Sequence, residues 1–345
     1  MHRSKVAGLL LCGTAALLTA CGSDAASTSQ PRSSVPPFSA DVTTTTAGQS
    51  CNQNTHPSAL IIDTVITPAA FGIAVRDDGL TYFTELYNGG VGITSTQTRT
   101  VNGFIPTGSI PTGLAFSPDG FTAYVTNQYS QNVGVIDVAS AQQVATIFTP
   151  AGNPSVVQVS PDGSRLFIGT TSTTVYIVDT QTRQIIGSVQ TGFVPNGFAV
   201  NPDGRIMYAG ASQGGSVTEF DMFTGQVLRT FFVGGTPQDL AVTKTGRTLY
   251  VGNEDGFLNQ IDLPSGQITA NIQLAGGAFG IGVTPDDVQA YVGIPSAGLV
   301  QIFNLQSRQL AQTIHVGGNP RRIAFSQQGH IGAIANLNGW VTFVR

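Results

Sequence analysis

TGLAFSPDGFTAYVTNQYSQNVGVID, residues 112–137, decides the fold. Leu-Ala-Phe at 114–116 is a short apolar run, and Ser-Pro-Asp-Gly at 117–120 is a tight turn. Pro presets φ, Asp bonds its own backbone, and Gly accepts positive φ. A second strand follows at 122–126 and a polar loop at 127–131. A third strand at 133–136 ends on Asp137, and a fourth runs through 144–148. Each strand is short, β-branched or aromatic, and bounded by turn residues. The turn glycine recurs at Gly79, Gly120, Gly163, Gly204, Gly246 and Gly329, with Asp287 in the sixth place, at intervals of 41 to 43 residues. Such a period at four strands per unit is the signature of propeller blades. Seven turns predict an all-β, seven-bladed β-propeller.

Weaker copies of the same letters carry a family resemblance. AYVTN at 123–127 behind SPDG, with LFIGT at 166–170, LYVGN at 249–253 and AYVGI at 290–294, resembles the YVTN-type propeller repeat of exported bacterial and archaeal proteins. The resemblance covers nearly all of the chain after Ser58. It implies the fold and leaves the function open, because this scaffold serves several activities.

Ahead of the repeats, Met-His-Arg-Ser-Lys precedes an apolar run at 6–18 and then Leu-Thr-Ala-Cys at 18–21. This is the pattern of an export signal over residues 1–20, too short to span a bilayer. Its last letters resemble a bacterial lipobox, which implies cleavage before Cys21, acylation there, and a membrane-anchored lipoprotein in the periplasm or on the cell surface. An ordinary secreted protein cut nearby is the alternative. Residues 21–57, rich in Ser, Thr and Pro, read as a flexible tether, and residues 58–345 as the propeller. Of the three cysteines, Cys12 leaves with the signal and Cys21 is the lipidation site. Cys51 then stays as a stray thiol or an intermolecular partner, with no disulfide available inside the propeller.

Residues 59–66 (ALIIDTVI) form a strand with no blade in front of it, while the last unit has three strands and stops. The N-terminal strand therefore completes blade seven and closes the ring. The third strands end in Asp137, Asp179, Asp221 and Asp262, with Asn304 as a variant. Each precedes a turn with Ser or Thr, so these are turn caps rather than a carboxylate ring.

Function is sought where the repeat departs from its own rule at the channel mouth. At the start of the innermost strands the aligned residues are Gly72, Gly113, Val156, Gly197, Asp239, Gly280 and Arg322, and two positions later Gln158 stands among small residues. Crowding near the axis explains the small residues; Asp239, Arg322 and Gln158, with the neighbouring Gln238 and Arg321, do not follow from it. A charge there must be paired or solvated. Asp239 and Arg322 are expected either to pair across blade six as a clasp or, for Arg321 and Arg322, to receive a small anionic ligand. Loops of the same face carry Glu85, Asn127, Asn253, Glu254 and Asp255, oxygen donors suited to Ca²⁺ or Mg²⁺ if they converge. Metal-dependent lactonases and lyases on propeller folds offer the analogy, and loop-building Asn with solvated acids is the plainer account.

Four histidines lie at 2, 56, 315 and 330, none at the expected centre, and residues 210–214 (GASQG) have the letters of a nucleophile elbow but join two strands. With 15 basic against 19 acidic residues and Lys244 the only lysine beyond the signal, nucleic acid is excluded as a partner. The sole tryptophan, Trp340, is expected in the core of the last blade. The sequence thus favours a lipid-anchored binding module for an envelope protein or small ligand. A metal-assisted hydrolase or lyase, lactonase-like, is the alternative, and a structural role in the envelope a third reading.

Overall fold

A computed structural model describes residues 59–326 and 331–345. The signal, the tether, Cys21, Cys51, the turn glycine Gly329 and His330 lie outside them. Seven four-stranded antiparallel sheets follow one another along the chain. Blades 1 to 6 span residues 70–106, 111–148, 154–190, 195–232, 237–273 and 281–315. Blade 7 takes its inner three strands from Pro320–Phe325, Gly332–Asn336 and Trp340–Val344 and its outer strand from Ile61–Ile66. The fold is the seven-bladed propeller that the period predicts. Among the described residues the one departure from strand and turn is a single 3-10 turn at Pro295–Ala297.

The core lies between blades. Tyr124, Val133 and Val135 of blade 2 pack on Val157, Leu166 and Tyr176 of blade 3, and Phe167 and Val175 of blade 3 on Phe198 and Phe220 of blade 4. Each sheet is covered on both faces by its neighbours. The second strands, such as Leu80–Glu85 and Thr248–Asn253, are therefore buried almost throughout rather than at alternate residues. Closure uses the same contacts. Ile61 faces Val344 and Ile66 faces Trp340 in an antiparallel ladder, while Val65, Val341 and Phe343 pack on Ile73 and Phe83 of blade 1.

Local chemistry sets the turns. Gly79, Gly120, Gly163, Gly204 and Gly246 hold φ between 65° and 84°. Asp287 takes the same left-handed conformation at φ 58°, and its carboxylate accepts from the N–H groups of Lys244 and Thr245 in the turn of blade 5. The third-strand caps form as expected: Asp137 accepts from Ser140, Asp179 from Thr182, Asp221 from Thr224, Asp262 from Ser265 and Asn304 from Ser307. The Thr224 N–H chiefly holds the Asp221 carboxyl down to about 2. Trp340 departs from its expected place. It is half-buried at the start of its strand, its indole N–H donating to the Val316 carbonyl at 3.2 Å, because the glycine pair 317–318 leaves a shelf for the ring.

Five inner strands open on proline: Pro111, Pro154, Pro195, Pro237 and Pro320. An inner strand is an edge strand, where the missing N–H costs nothing. Just past each proline the register slips, between Pro237 and Asp239 and between Pro320 and Ile323 for example. Such bulges release one or two residues from the ladder and re-aim their side chains. In blades 5 and 7 those residues are Gln238 and the pair Arg321–Arg322.

Candidate functional site at the channel mouth

The first residues of the inner strands, together with the loops between second and third strands, make one face of the ring around the axis. Crowding there is severe. A Cβ on Gly280 would lie 1.9 Å from the Arg321 carbonyl oxygen, and one on Gly72 2.1 Å from that of Thr112. Small residues at this column are thus required by the approach of neighbouring strands.

Arg322 and Asp239 pair, as the clasp reading expects, with Nη1 2.7 Å from Oδ1. The guanidinium reaches further than the sequence implies. Nη2 donates to the Asn196 carbonyl of blade 4 at 2.6 Å, and Nη1 to the Gln238 carbonyl of blade 5 at 3.4 Å. Starting in blade 7 and ending on blade 4, the side chain crosses the axis of the ring. Its partners are themselves held. The other Asp239 oxygen accepts from the Ile281 N–H at 3.3 Å, and the Asn196 amide donates to the Gln238 side-chain oxygen. With both side chains largely buried (17% and 14% exposed), the pair is a plug across the channel.

Arg321 behaves differently. Its guanidinium lies over the ring of Phe279, 4.4 Å from the centroid, and 5.8 Å from that of Phe71. The two rings meet edge to face at 5.6 Å. Its Nε is buried without a hydrogen-bond partner, and among the described residues no group accepts a hydrogen bond from this guanidinium. Burial lowers its pKa, Glu254 opposes that, and the adjacent Arg322 adds to it. An arginine nevertheless keeps its charge at neutral pH. Glu254 is open to solvent on one side. The protein behind its carboxyl pushes the pKa above the ordinary glutamate value, Arg321 pulls it back, and Asp255 pushes it up again.

The other residues singled out by the sequence are placed elsewhere. Gln158 is half-buried in blade 3, its amide donating to the carbonyl of Val159, and takes no part in the plug. Glu85, Asn127 and Asn253 share one position, the last residue of a second strand, in blades 1, 2 and 5. Asn253 accepts from the Thr236 N–H and donates to the Gly234 carbonyl; Asn127 accepts from the Thr107 hydroxyl and donates to Asn132. Asn336, in blade 7, does the same with Asn319 and Gly317. These amides fasten the loop that feeds their own blade, and the close approach needs Gly235 and Gly318, both at positive φ. Their oxygens are therefore spent on protein donors. Among the described residues no group of three or more His, Cys, Asp or Glu side chains converges as a metal cage.

Sequence reading missed Phe71, Phe279 and Asn196. All three occupy the column one residue before Gly72, Gly280 and Gly197. Read through, that column gives Phe71, Thr112, Ser155, Asn196, Gln238, Phe279 and Arg321, with aromatics and a cation on blades 6, 7 and 1 and polar groups on blades 2 to 5. The signal was present, one residue from where it was sought.

Two comparisons bear on this arrangement. The sequence model of a family described as Lactonase, 7-bladed beta-propeller matches residues 93–230, from blade 1 into blade 4. The matched stretch includes Asn196 but stops before Gln238, Asp239, Glu254, Phe279, Arg321 and Arg322. Among solved structures the chain is similar to Kuenenia stuttgartiensis hydrazine synthase, with 21% identity and a TM-score of 0.74, over 86% of this chain and 99% of that one. At that identity the likeness concerns the fold. No curated protein matches the chain.

Proposed function

We propose that this chain is a lipid-anchored binding module of the cell envelope, exported by its N-terminal signal and held through Cys21, and that its partner meets the channel face. One observation carries the reading: that face is poor in charge and rich in exposed apolar side chains. Tyr87 and Tyr129 stand in its loops, Phe193 on a blade connection, and Ile66, Phe148 and Phe232 at the ends of outer strands; all but Phe193 are more than two-thirds exposed. The charged residues of this face among the described residues are Glu85, Asp239, Glu254, Asp255, Arg321 and Arg322, of which Asp239 and Arg322 are committed to the plug. Aromatic enrichment with charge depletion is the composition of protein-contact surfaces. The chain enters the ring at Ile61, on the opposite face beside Arg345.

A photo-crosslinking residue placed at Tyr129 in the full chain, in its native envelope, tests the proposal. The expected result is a discrete adduct from position 129 and none from Phe121, an equally exposed site in a turn of the opposite face. Equal labelling from both faces, or none from position 129, overturns it.

The match to the lactonase description favours a second reading, hydrolysis of a lactone at the channel mouth with Glu254 as the acid or base. Lactone turnover by the full chain, lost in Glu254→Gln, is the result it requires. Turnover that is also lost to chelator would bring a metal back into consideration.

A further inference from the structure

The two adjacent arginines of blade 7 have different electrostatic fates, and only one is spent. Arg322 has a carboxylate and two backbone carbonyls. Arg321 has two aromatic faces and no acceptor among the described residues. An aromatic face offers a guanidinium attraction for its charge, but the N–H groups project from the edge of the guanidinium plane, and the buried Nε–H has no partner. Buried donors without partners are rare in folded proteins, and those that persist call for a specific explanation.

We propose that Arg321 and the Phe71–Phe279 pair receive a single organic carboxylate carried on an apolar or aromatic body. The inference rests on the reading of the channel face as the binding face and names the chemistry recognised at its centre. The planar fork of one guanidinium matches one carboxylate. A dianionic phosphate would meet only this one uncommitted cation and would have the Glu254 carboxylate within electrostatic reach of it. The walls select the rest of the ligand. Phe71 and Phe279 flank the guanidinium from blades 1 and 6, and Tyr87 stands exposed in the loop of blade 1. The plug beneath closes the axis, so the ligand rests on the face rather than passing through it. A free aromatic acid and the C-terminal carboxylate of a partner chain ending in an apolar residue share this chemistry.

Phenylacetate titrated into the full chain, followed by calorimetry or ligand-observed NMR, is the direct probe, with phenylacetamide as its neutral isostere. The acid is expected to bind at least about tenfold more tightly than the amide. That preference should disappear in Arg321→Gln and weaken in Arg321→Lys, which keeps the charge and loses the fork. Melting of both variants checks that the fold persists. A short peptide ending in Phe, as free acid and as amide, separates the sources: a peptide acid markedly tighter than phenylacetate assigns the site to a chain terminus, and equal binding assigns it to a small acid. Equal binding of phenylacetate and phenylacetamide overturns the inference, as does an unchanged preference in Arg321→Gln or displacement of phenylacetate by equimolar phosphate. Should the preference fail while crosslinks from position 129 persist, the carboxylate site alone is lost; loss of the crosslinks is what removes the binding face.

Discussion

Glu85 shows what one substitution in a repeated position does. The last residue of the second strand is an amide in blades 2, 5 and 7, where both ends of the side chain are used to hold a loop. Blade 1 puts a carboxyl there, only 3% exposed, which accepts from the Asn88 amide at 2.8 Å. Burial pushes its pKa above the ordinary 4.5, and the Asn88 contact offsets part of that. The folded state therefore keeps a proton that the unfolded chain has already lost. Stability from this group is greatest below the unfolded value and declines as pH rises through the folded one. Glu85→Gln, which retains the bond to Asn88 and removes the charge, should raise Tm at pH 7.5 and leave it nearly unchanged at pH 4.5. At this chain length the gain amounts to roughly 2 °C for each kcal/mol recovered. Thermal melts of both proteins at the two pH values decide the matter; a lower Tm for the variant at pH 7.5, or an equal difference at both, would show that the carboxylate is favourably held.

Strands, turns and ring closure were legible because their causes are local or periodic. The caps from Asp137 to Asn304 need only a short acceptor and a Ser or Thr three residues on. The N-terminal strand at 59–66 follows from counting, since blade seven lacks an outer strand and this segment matches QVATIF at 143–148 and QVLRTF at 226–231 in their blades. The clasp was half legible. Asp239 and Arg322 stood out because charge is costly in a crowded column, yet the reach of Arg322 to Asn196 depends on blade 4 lying across the axis from blade 7, which no spacing expresses. Phe71 and Phe279 were visible as letters and invisible as a site, for an apolar residue at a strand start reads as core until the cation above it is known. The amides read as metal donors are a related case. Asn127 and Asn253 have the right atoms, and only the structure shows those atoms already engaged by loops. Gln158 breaks the column without consequence, its amide turned to its own neighbour.

At the scale of the whole ring, Arg322 ties blade 7 to Asp239 and Gln238 of blade 5 and to Asn196 of blade 4, all far apart from it in sequence, so its removal should be felt by the molecule as a unit. Arg322→Met strands a buried carboxylate beside the axis and takes the donor from two carbonyls. Breaking a buried pair in this way costs about 3–5 kcal/mol. For a chain of this size that is a fall in Tm of roughly 6–10 °C. Replacing both charges is a different perturbation. Arg322→Met with Asp239→Asn leaves no unpaired charge and keeps an oxygen for the Ile281 N–H, so most of the loss should return. The double-mutant cycle then reports the coupling directly. Hydrogen exchange locates it: in Arg322→Met, protection should drop across the inner strands of blades 4, 5 and 7 together, because they share one tie. A double variant no more stable than Arg322→Met would mean that the arginine acts through its carbonyl contacts and its position over the Phe279 ring, 5.4 Å from the centroid, with Asp239 incidental. A drop in protection confined to blade 7 would mean that the ring is held by its hydrophobic interfaces alone and that the plug only fills the channel.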